Sequence, residues 1–297
     1  MTKTKVSVII PNYNGEKLLE KNLPAVLKAK EYKANNILEI IVVDDASPDG
    51  SVDLLKKKFP EVKVIKHKIN RGFSSSVNTG ARTSTGDLLV LLNTDVIPEK
   101  DFLASVLPLF KDDGVFAISF SEKGYSWAKG KFENGFVEHD LGTKTKKVHD
   151  TFWVSGGSGV FRRDYWMSLG GMDEKLLSPF YWEDLDLGYR ALKRGYKLLW
   201  APEARVLHKH ESTIGLLPKK YVERIRERNQ LIFIWKNITS PILTRKHIVG
   251  LLKRAIRHPG YIRIVIMALS KIRQILRARK KEKRACKVSD EAIFAKF

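Results

Sequence analysis

One cysteine, Cys286, is all that a chain of 297 residues contains. That scarcity excludes an intrachain disulfide and any zinc or iron–sulfur centre built on several thiolates. It also fits a reducing compartment. Long apolar runs are lacking as well. The first one, Val6–Ile10, ends at Pro11 and is too short for the core of a signal peptide. No stretch of about 18 uncharged apolar residues occurs, so no ordinary bilayer-spanning helix is expected. Internal repeats and low-complexity tracts are absent.

Acidic residues are scarce in only one part of the chain. The total of 54 Lys plus Arg against 33 Asp plus Glu gives a net charge of +21. Residues 1–208 hold 31 basic and 27 acidic side chains, a net of +4, whereas residues 209–297 hold 23 and 6, a net of +17. A charge of this size suits nucleic acid, an anionic membrane or phosphorylated substrates. Its placement assigns it to the C-terminal third. A hydrophobic content of 43% with 10% aromatics supplies a core and excludes wholesale disorder. The length fits one large domain, or one domain with an appendage.

Four near-continuous apolar runs, Val6–Ile10, Leu38–Val43, Val62–Ile65 and Leu88–Leu92, read as strands buried on both faces. Helical patterns separate them, which predicts an α/β fold with a mostly parallel sheet flanked by helices. Ser47-Pro48-Asp49 reads as a helix start. Val115–Phe120 and Phe132–Val137 read as antiparallel strands. A helix follows, from Glu183-Asp184 to a stop at Gly195. Lys197–Trp200 and Arg205–Leu207 are short strand candidates. Three basic helical segments, 221–236, 243–257 and 261–278, are expected beyond Pro218, with a loose tail from Lys280.

Ligands of an open parallel sheet bind beyond the carboxyl ends of its strands. Pro11-Asn12-Tyr13-Asn14, Asp44-Asp45, Asn70-Arg71-Gly72 and Asn93-Thr94-Asp95 all fall there. Asp45 suits a base N–H or a ribose hydroxyl, and Gly72 permits close backbone approach. Asp95 suits a hard divalent cation bridging phosphates. Each motif taken alone also reads as an ordinary turn or helix cap. Their common registration on one sheet edge distinguishes them.

From Val6 to Ser212 the sequence resembles the inverting glycosyltransferases of family 2. The resemblance rests on VSVIIPNYNG, IIVVDDASPDGS, NRGFSSSVNTGA, GDLLVLLNTDV, GGSGVFRR, GGMDEKL and YWEDLDLGYRALKRGY, in that order. It implies the Rossmann-like GT-A fold, with Pro11 (through its backbone), Asp45, Arg71 and Asn78 around the base and ribose. It implies that Asp95 ends a metal motif usually written Asp-x-Asp; Asn93 stands at the first position here, a weaker ligand than a carboxylate. It further implies Mn2+ or Mg2+ as cofactor, His208 (or less so His210) beside the metal, and Glu183-Asp184 as the acid pair. Asp184 is then the base and Glu183 its acceptor-orienting neighbour. A helix start is expected to keep Asp184 ionised. Alone, the pair reads as decoration of a helix N-terminus.

Ser155-Gly156-Gly157-Ser158-Gly159 carries no Walker lysine, and Gly156 and Gly157 instead suit close approach to sugar or acceptor. Trp153 and Trp182 suit stacking on a sugar ring, or burial in the core. The expected organisation is a catalytic domain over 1–212, with a nucleotide half to about 112 and an acceptor half over 113–212. A basic amphipathic region follows over 213–284, then a tail over 285–297. Expected partners are a nucleoside-diphosphate sugar, with UDP or dTDP favoured, and a hydroxyl acceptor that is lipid-linked or a cell-surface glycan precursor. The basic helices suit an anionic membrane, placing the enzyme on its cytoplasmic face; a helical cap with solvated charges is the alternative. No nucleic-acid-binding motif is evident. The rival readings are a sugar nucleotidylyltransferase, a basic nucleic-acid-binding or membrane-binding protein, and a non-catalytic scaffold.

Overall fold

The computed structural model describes residues 4–209, 215 and 217–297. Its first half alternates strand and helix: β1 (Val6–Asn12), α1 (Glu16–Glu31), β2 (Ile37–Asp44), α2 (Ser51–Lys58), β3 (Lys63–Lys66), α3 (Phe73–Thr83) and β4 (Leu88–Leu92). These strands pair in parallel in the order β3-β2-β1-β4. β1, β2 and β4 are buried almost throughout, which is why their sequences run apolar without alternation. The helix expected to begin at Ser47 begins instead at Ser51. Asp49 accepts from the Ser51 backbone and hydroxyl, while Ser47 is drawn away to accept from Asn14 N–H.

The second half is mixed. It comprises β5 (Val96–Pro98), β6 (Val115–Glu122), β7 (Ala128–Glu133), β8 (Phe136–Leu141), β9 (His149–Asp150), β10 (Ser158–Arg162), α4 (Arg163–Leu169), α5 (Glu183–Lys193) and β11 (Lys197–His208). The sheet continues as β4-β10-β6-β11-β5, with β10 antiparallel to both neighbours and β11 parallel to β6. The run expected as one strand over Phe132–Val137 is a hairpin. Asn134 and Gly135, both at positive φ, turn β7 into β8, as the Asn-Gly pair favours. The two short strands expected near 197 and 207 form one strand, irregular between Ala201 and Arg205.

The remaining helices are α6 (Lys219–Asn237), α7 (Pro241–Arg257), α8 (Ile262–Leu269), α9 (Ile272–Ala285) and α10 (Asp290–Lys296). The segment expected as one helix over 261–278 breaks at Ser270-Lys271, where the Lys271 ammonium donates to the Lys175 and Leu176 carbonyls. The tail expected to be loose is helical and anchored. Asp290 is buried against Lys193 and Tyr189 of α5, and Ile293 joins the core. Leu231, Phe233, Ile264, Ala268 and Ile275 share that same core with the sheet and α5. Much of the basic region is therefore packed against the catalytic fold. Among the described residues no helix is long and apolar enough to cross a membrane.

Candidate active site

Strand ends converge on one edge, as a parallel sheet requires, and side chains there divide into braces and exposed groups. Asp44 is a brace: it accepts from the Asn12 amide (2.9 Å) and Ser47 N–H (3.1 Å). Asp45 accepts from the backbones of Arg71 (2.9 and 3.0 Å) and Gly72 (2.7 Å), and pairs with the His67 ring at 2.7 Å. Its carboxylate thus shapes the Asn70–Gly72 loop, which sequence alone did not indicate. Gly72, at φ +84°, lies against the Pro179 carbonyl and needs to lack a side chain. Asn78 is likewise spent on structure, exchanging hydrogen bonds with Met172 and donating to Glu174. The exposed groups are Tyr13, Asn14 and Arg71, with the Pro11 backbone half-buried behind them.

Asn93-Thr94-Asp95 forms the turn from β4 into β5, and Thr94 fixes it by accepting from the Asn22 amide at 2.8 Å. Pairing of β5 with β11 sets His208 opposite Val96, so its ring reaches Asp95 Oδ1 at 3.3 Å and Glu122 Oε2 at 3.0 Å. Glu122, at the end of β6, was not anticipated. Burial lowers the His208 pKa, but the hydrogen bonds to Asp95 and Glu122 outweigh it and raise it to about 9. His210 lies outside the described residues. The Asp95 carboxylate fits Mn2+ or Mg2+, while the His208 imidazole, which would have to give up its proton to coordinate, suits Mn2+ better than Mg2+. Among the described residues no three such side chains form a ready-made cage. A cation held by Asp95 and His208 fits if a diphosphate supplies further ligands, as is common for Mg2+.

The glycine pair joins this turn to the acid pair. Asn93 N–H donates to the Gly157 carbonyl (2.9 Å), and Gly156 N–H donates to Asp184 Oδ2 (3.2 Å). A methyl group on Gly157 would sit 2.4 Å from the Asn93 amide. Gly157→Ala should therefore displace that amide and lower kcat/KM for the donor by about 10- to 100-fold, with little change in melting temperature. Steady-state kinetics beside a thermal melt checks this, and unchanged kinetics would contradict the placement of Asn93.

Glu183 and Asp184 open α5, Glu183 buried and Asp184 half-buried. Burial raises the Asp184 pKa, overriding the N–H donors of Gly156 and Leu185. Burial, then the neighbouring Asp184 charge, pushes Glu183 well above the carboxylate range. Desolvation thus works against the helix-end effect expected to keep Asp184 ionised. Glu183 Oε2 has no hydrogen-bond partner among the described residues. Of the two, Glu183 is pushed further toward its protonated form than Asp184.

Trp182, at the N-cap, and Tyr181 before it hold positive φ values of 75° and 69°. Such backbone costs about 1–3 kcal/mol per residue and persists only when held. The holder is α6: the buried Asn229 amide donates to the carbonyls of Leu177, Phe180 and Tyr181, and Arg228 donates to Ser178. Asp186 on α5 is ringed by Arg190, Lys236 and Asn237; although burial opposes it, Lys236 and Arg190 hold its pKa down to about 2. Trp182 packs on Phe233, which favours a core role over stacking on sugar. The exposed His139 of β8 sits edge-on to both Trp153 (5.8 Å) and Trp182 (6.2 Å), and a positive charge at this position would favour ionised Asp184. His139 lies in a stretch of sequence without a motif and was missed for that reason.

The chain is similar to known proteins in sequence and in fold. The Glycosyl transferase family 2 profile matches residues 7–167. The chain is 29% identical over 214 residues to "Probable glycosyltransferase YdaM" of Bacillus subtilis (strain 168), covering 67% of this chain and 49% of that protein. It therefore spans about half of that relative. It is 23% identical over 252 residues to "N-acetylglucosaminyl-diphospho-decaprenol L-rhamnosyltransferase" of Mycobacterium tuberculosis (strain CDC 1551 / Oshkosh), covering 72% of this chain and 79% of that one. Among solved structures, GalNAc-T7 with UDP, GalNAc and Mn2+ superposes with a TM-score of 0.63 at 18% identity, covering 88% of this chain and 57% of that one. Mannosyltransferase PcManGT from Pyrobaculum calidifontis, in complex with GDP-Man and Mn2+, gives 0.56 at 18% identity, covering 96% and 86%. The structural likeness shows the GT-A fold. With more than half of its residues under the family profile, the chain belongs to glycosyltransferase family 2.

Proposed function

We propose that the chain is a metal-assisted inverting glycosyltransferase that moves a sugar from a nucleoside-diphosphate sugar to the hydroxyl of a lipid-linked acceptor. The observation that carries this is the Gly156-Gly157 bridge, which touches the Asn93 turn on one side and Asp184 on the other. On this reading, donor and acceptor chemistry lie on the two sides of that bridge. Asp184 takes the acceptor proton as that oxygen bonds to the anomeric carbon, and the departing diphosphate leaves with the electron pair of the broken bond. Asp95 and His208 would hold Mn2+ or Mg2+, which when bound supplies positive charge to the diphosphate. Glu183 keeps its proton and orients the acceptor, with Trp153 and His139 at the rim. The loop set by Asp45, with Arg71 at its mouth, receives the nucleotide, for which UDP or dTDP is favoured.

Support for a lipid-linked acceptor comes from the exposed apolar residues Ile248, Leu252 and Ile256 of α7, and Ile262, Ile266 and Leu269 of α8. Basic residues interleave with them, suiting an anionic bilayer at the cytoplasmic face. A relative named for a diphospho-decaprenol acceptor agrees. The test is a thermal-shift screen of nucleoside diphosphates and their sugars, with and without Mn2+. The expected result is a metal-dependent rise of a few degrees for one nucleotide family. Indifference to every nucleotide would sink this reading. Pyrophosphate release from a nucleoside triphosphate plus a sugar phosphate would favour a nucleotidylyltransferase instead.

A further inference from the structure

α6, the end of α7, the turn over residues 258–261 and the start of α8 enclose an open cleft of about 940 Å³, remote in sequence from every motif above. Arg224, Arg254, Arg263, His258, Tyr261 and a single carboxylate, Glu227, line it. None of the three arginines forms an ion pair with a described residue within 4.0 Å, and with Glu227 as the one carboxylate in the lining the cleft carries an excess of positive charge. Arg254 is preset: its guanidinium lies 3.4 Å from the Phe136 ring centroid and 5.3 Å from that of Tyr261. Tyr261 is only 6% exposed, and its hydroxyl makes no hydrogen bond of good geometry, although Arg254 lies beside it. A buried donor left without an acceptor beside three guanidinium forks is the chemistry of a phosphoryl anion site.

We propose that this cleft binds a phosphoryl anion, a phosphate or diphosphate group, through Arg224, Arg254, Arg263 and the Tyr261 hydroxyl. The site goes beyond the transferase reading and stands on its own geometry. Two sources share the chemistry. Exposed Ile256 precedes the turn and exposed Ile262 follows it, so a lipid head group would find apolar residues on both sides of its anion. A soluble phosphate or diphosphate would use the polar groups alone.

The full chain would be titrated calorimetrically with inorganic pyrophosphate in the presence of EDTA, which removes metal-dependent binding at the nucleotide site. In parallel it would be floated with phosphatidylcholine vesicles containing phosphatidic acid. Arg254→Gln and Arg263→Gln are expected to weaken binding about fivefold or more, the scale of a charge-assisted hydrogen bond, while Arg277→Gln on α9 leaves it unchanged. Weakening in the pyrophosphate arm identifies a soluble anion, and weakening in the vesicle arm alone identifies a lipid head group. Arg263 is exposed, so its variant decides the matter if Arg254→Gln misfolds. Absence of binding in both arms, or equal weakening by Arg277→Gln, overturns the proposal. Donor hydrolysis measured on the same variants keeps its failure separate from failure of the transferase reading.

Discussion

Asp184→Asn is expected to lower sugar transfer by about 10²–10⁴-fold, the usual contribution of a positioned general base. The amide keeps the shape of the side chain and an acceptor oxygen for one of the two N–H groups, Gly156 or Leu185, that now donate to separate carboxylate oxygens, so nucleotide binding should persist. The pH profile makes the test specific. A base works deprotonated, and burial raises this one, so wild-type kcat should fall with decreasing pH along an acid limb displaced above the ordinary Asp value of about 4. That limb should vanish in the variant. Stability should move the other way. A carboxyl whose pKa is raised on folding binds its proton more tightly in the folded state, so ionising it costs stability as pH rises. The variant should melt no lower than wild type at neutral pH. Wild-type transfer by Asp184→Asn would remove the base assignment, and a large loss of melting temperature would recast Asp184 as structural.

Asp290→Ala is the second large effect. Lys193 is fully buried, and its ammonium meets Asp290 Oδ1 at 2.7 Å, the Asn237 carbonyl at 3.0 Å and Thr239 Oγ1 at 2.6 Å. Removing the carboxylate strands that charge and also deprives the Tyr189 hydroxyl of its acceptor. Breaking a buried pair in this way costs about 3–5 kcal/mol. For a domain of this size that is a fall in melting temperature of roughly 10 °C. Replacing both partners with apolar residues, Lys193→Met with Asp290→Leu, should recover part of the loss because neither charge then remains. Calorimetry of the two single variants and the pair checks this. A loss below about 1 kcal/mol for Asp290→Ala would mean that water reaches Lys193.

Sequence pattern revealed the parallel half of the sheet because β1, β2 and β4 are buried on both faces and their residues must all be apolar. It located the strand-end motifs because the topology itself brings such ends together. Side-chain allegiance was less legible. Asp44, Asp45 and Asn78 look like ligand groups in sequence, yet all three are engaged by neighbours whose distance along the chain runs from a few residues to 94. Glu122 and Asn229 carry no local signature, since their partners come from register and from a helix outside the motifs. The basic tail misled through composition. Its charges dominate the count, but the apolar residues between them decide the packing; Asn229 locks it to the loop before α5, and Lys236 and Asp290 lock it to α5 itself.

The Lys193–Asp290 pair spans 97 residues, and Asp186 reaches Lys236 across 50. This places a constraint on the order of events at the ribosome. α5 can be synthesised and can coil early, with Asp186 already met by Arg190 within the helix, but Asp186 gains Lys236 only with α6 and Lys193 has no charged counterpart until chain near residue 290 has emerged. Contacts so distant in sequence close late, because loop entropy opposes them until the rest has folded. A nascent chain that already holds the strand-end loops therefore still lacks the partners that brace α5, and the acids at the head of that helix gain this support only as the C-terminal helices are made.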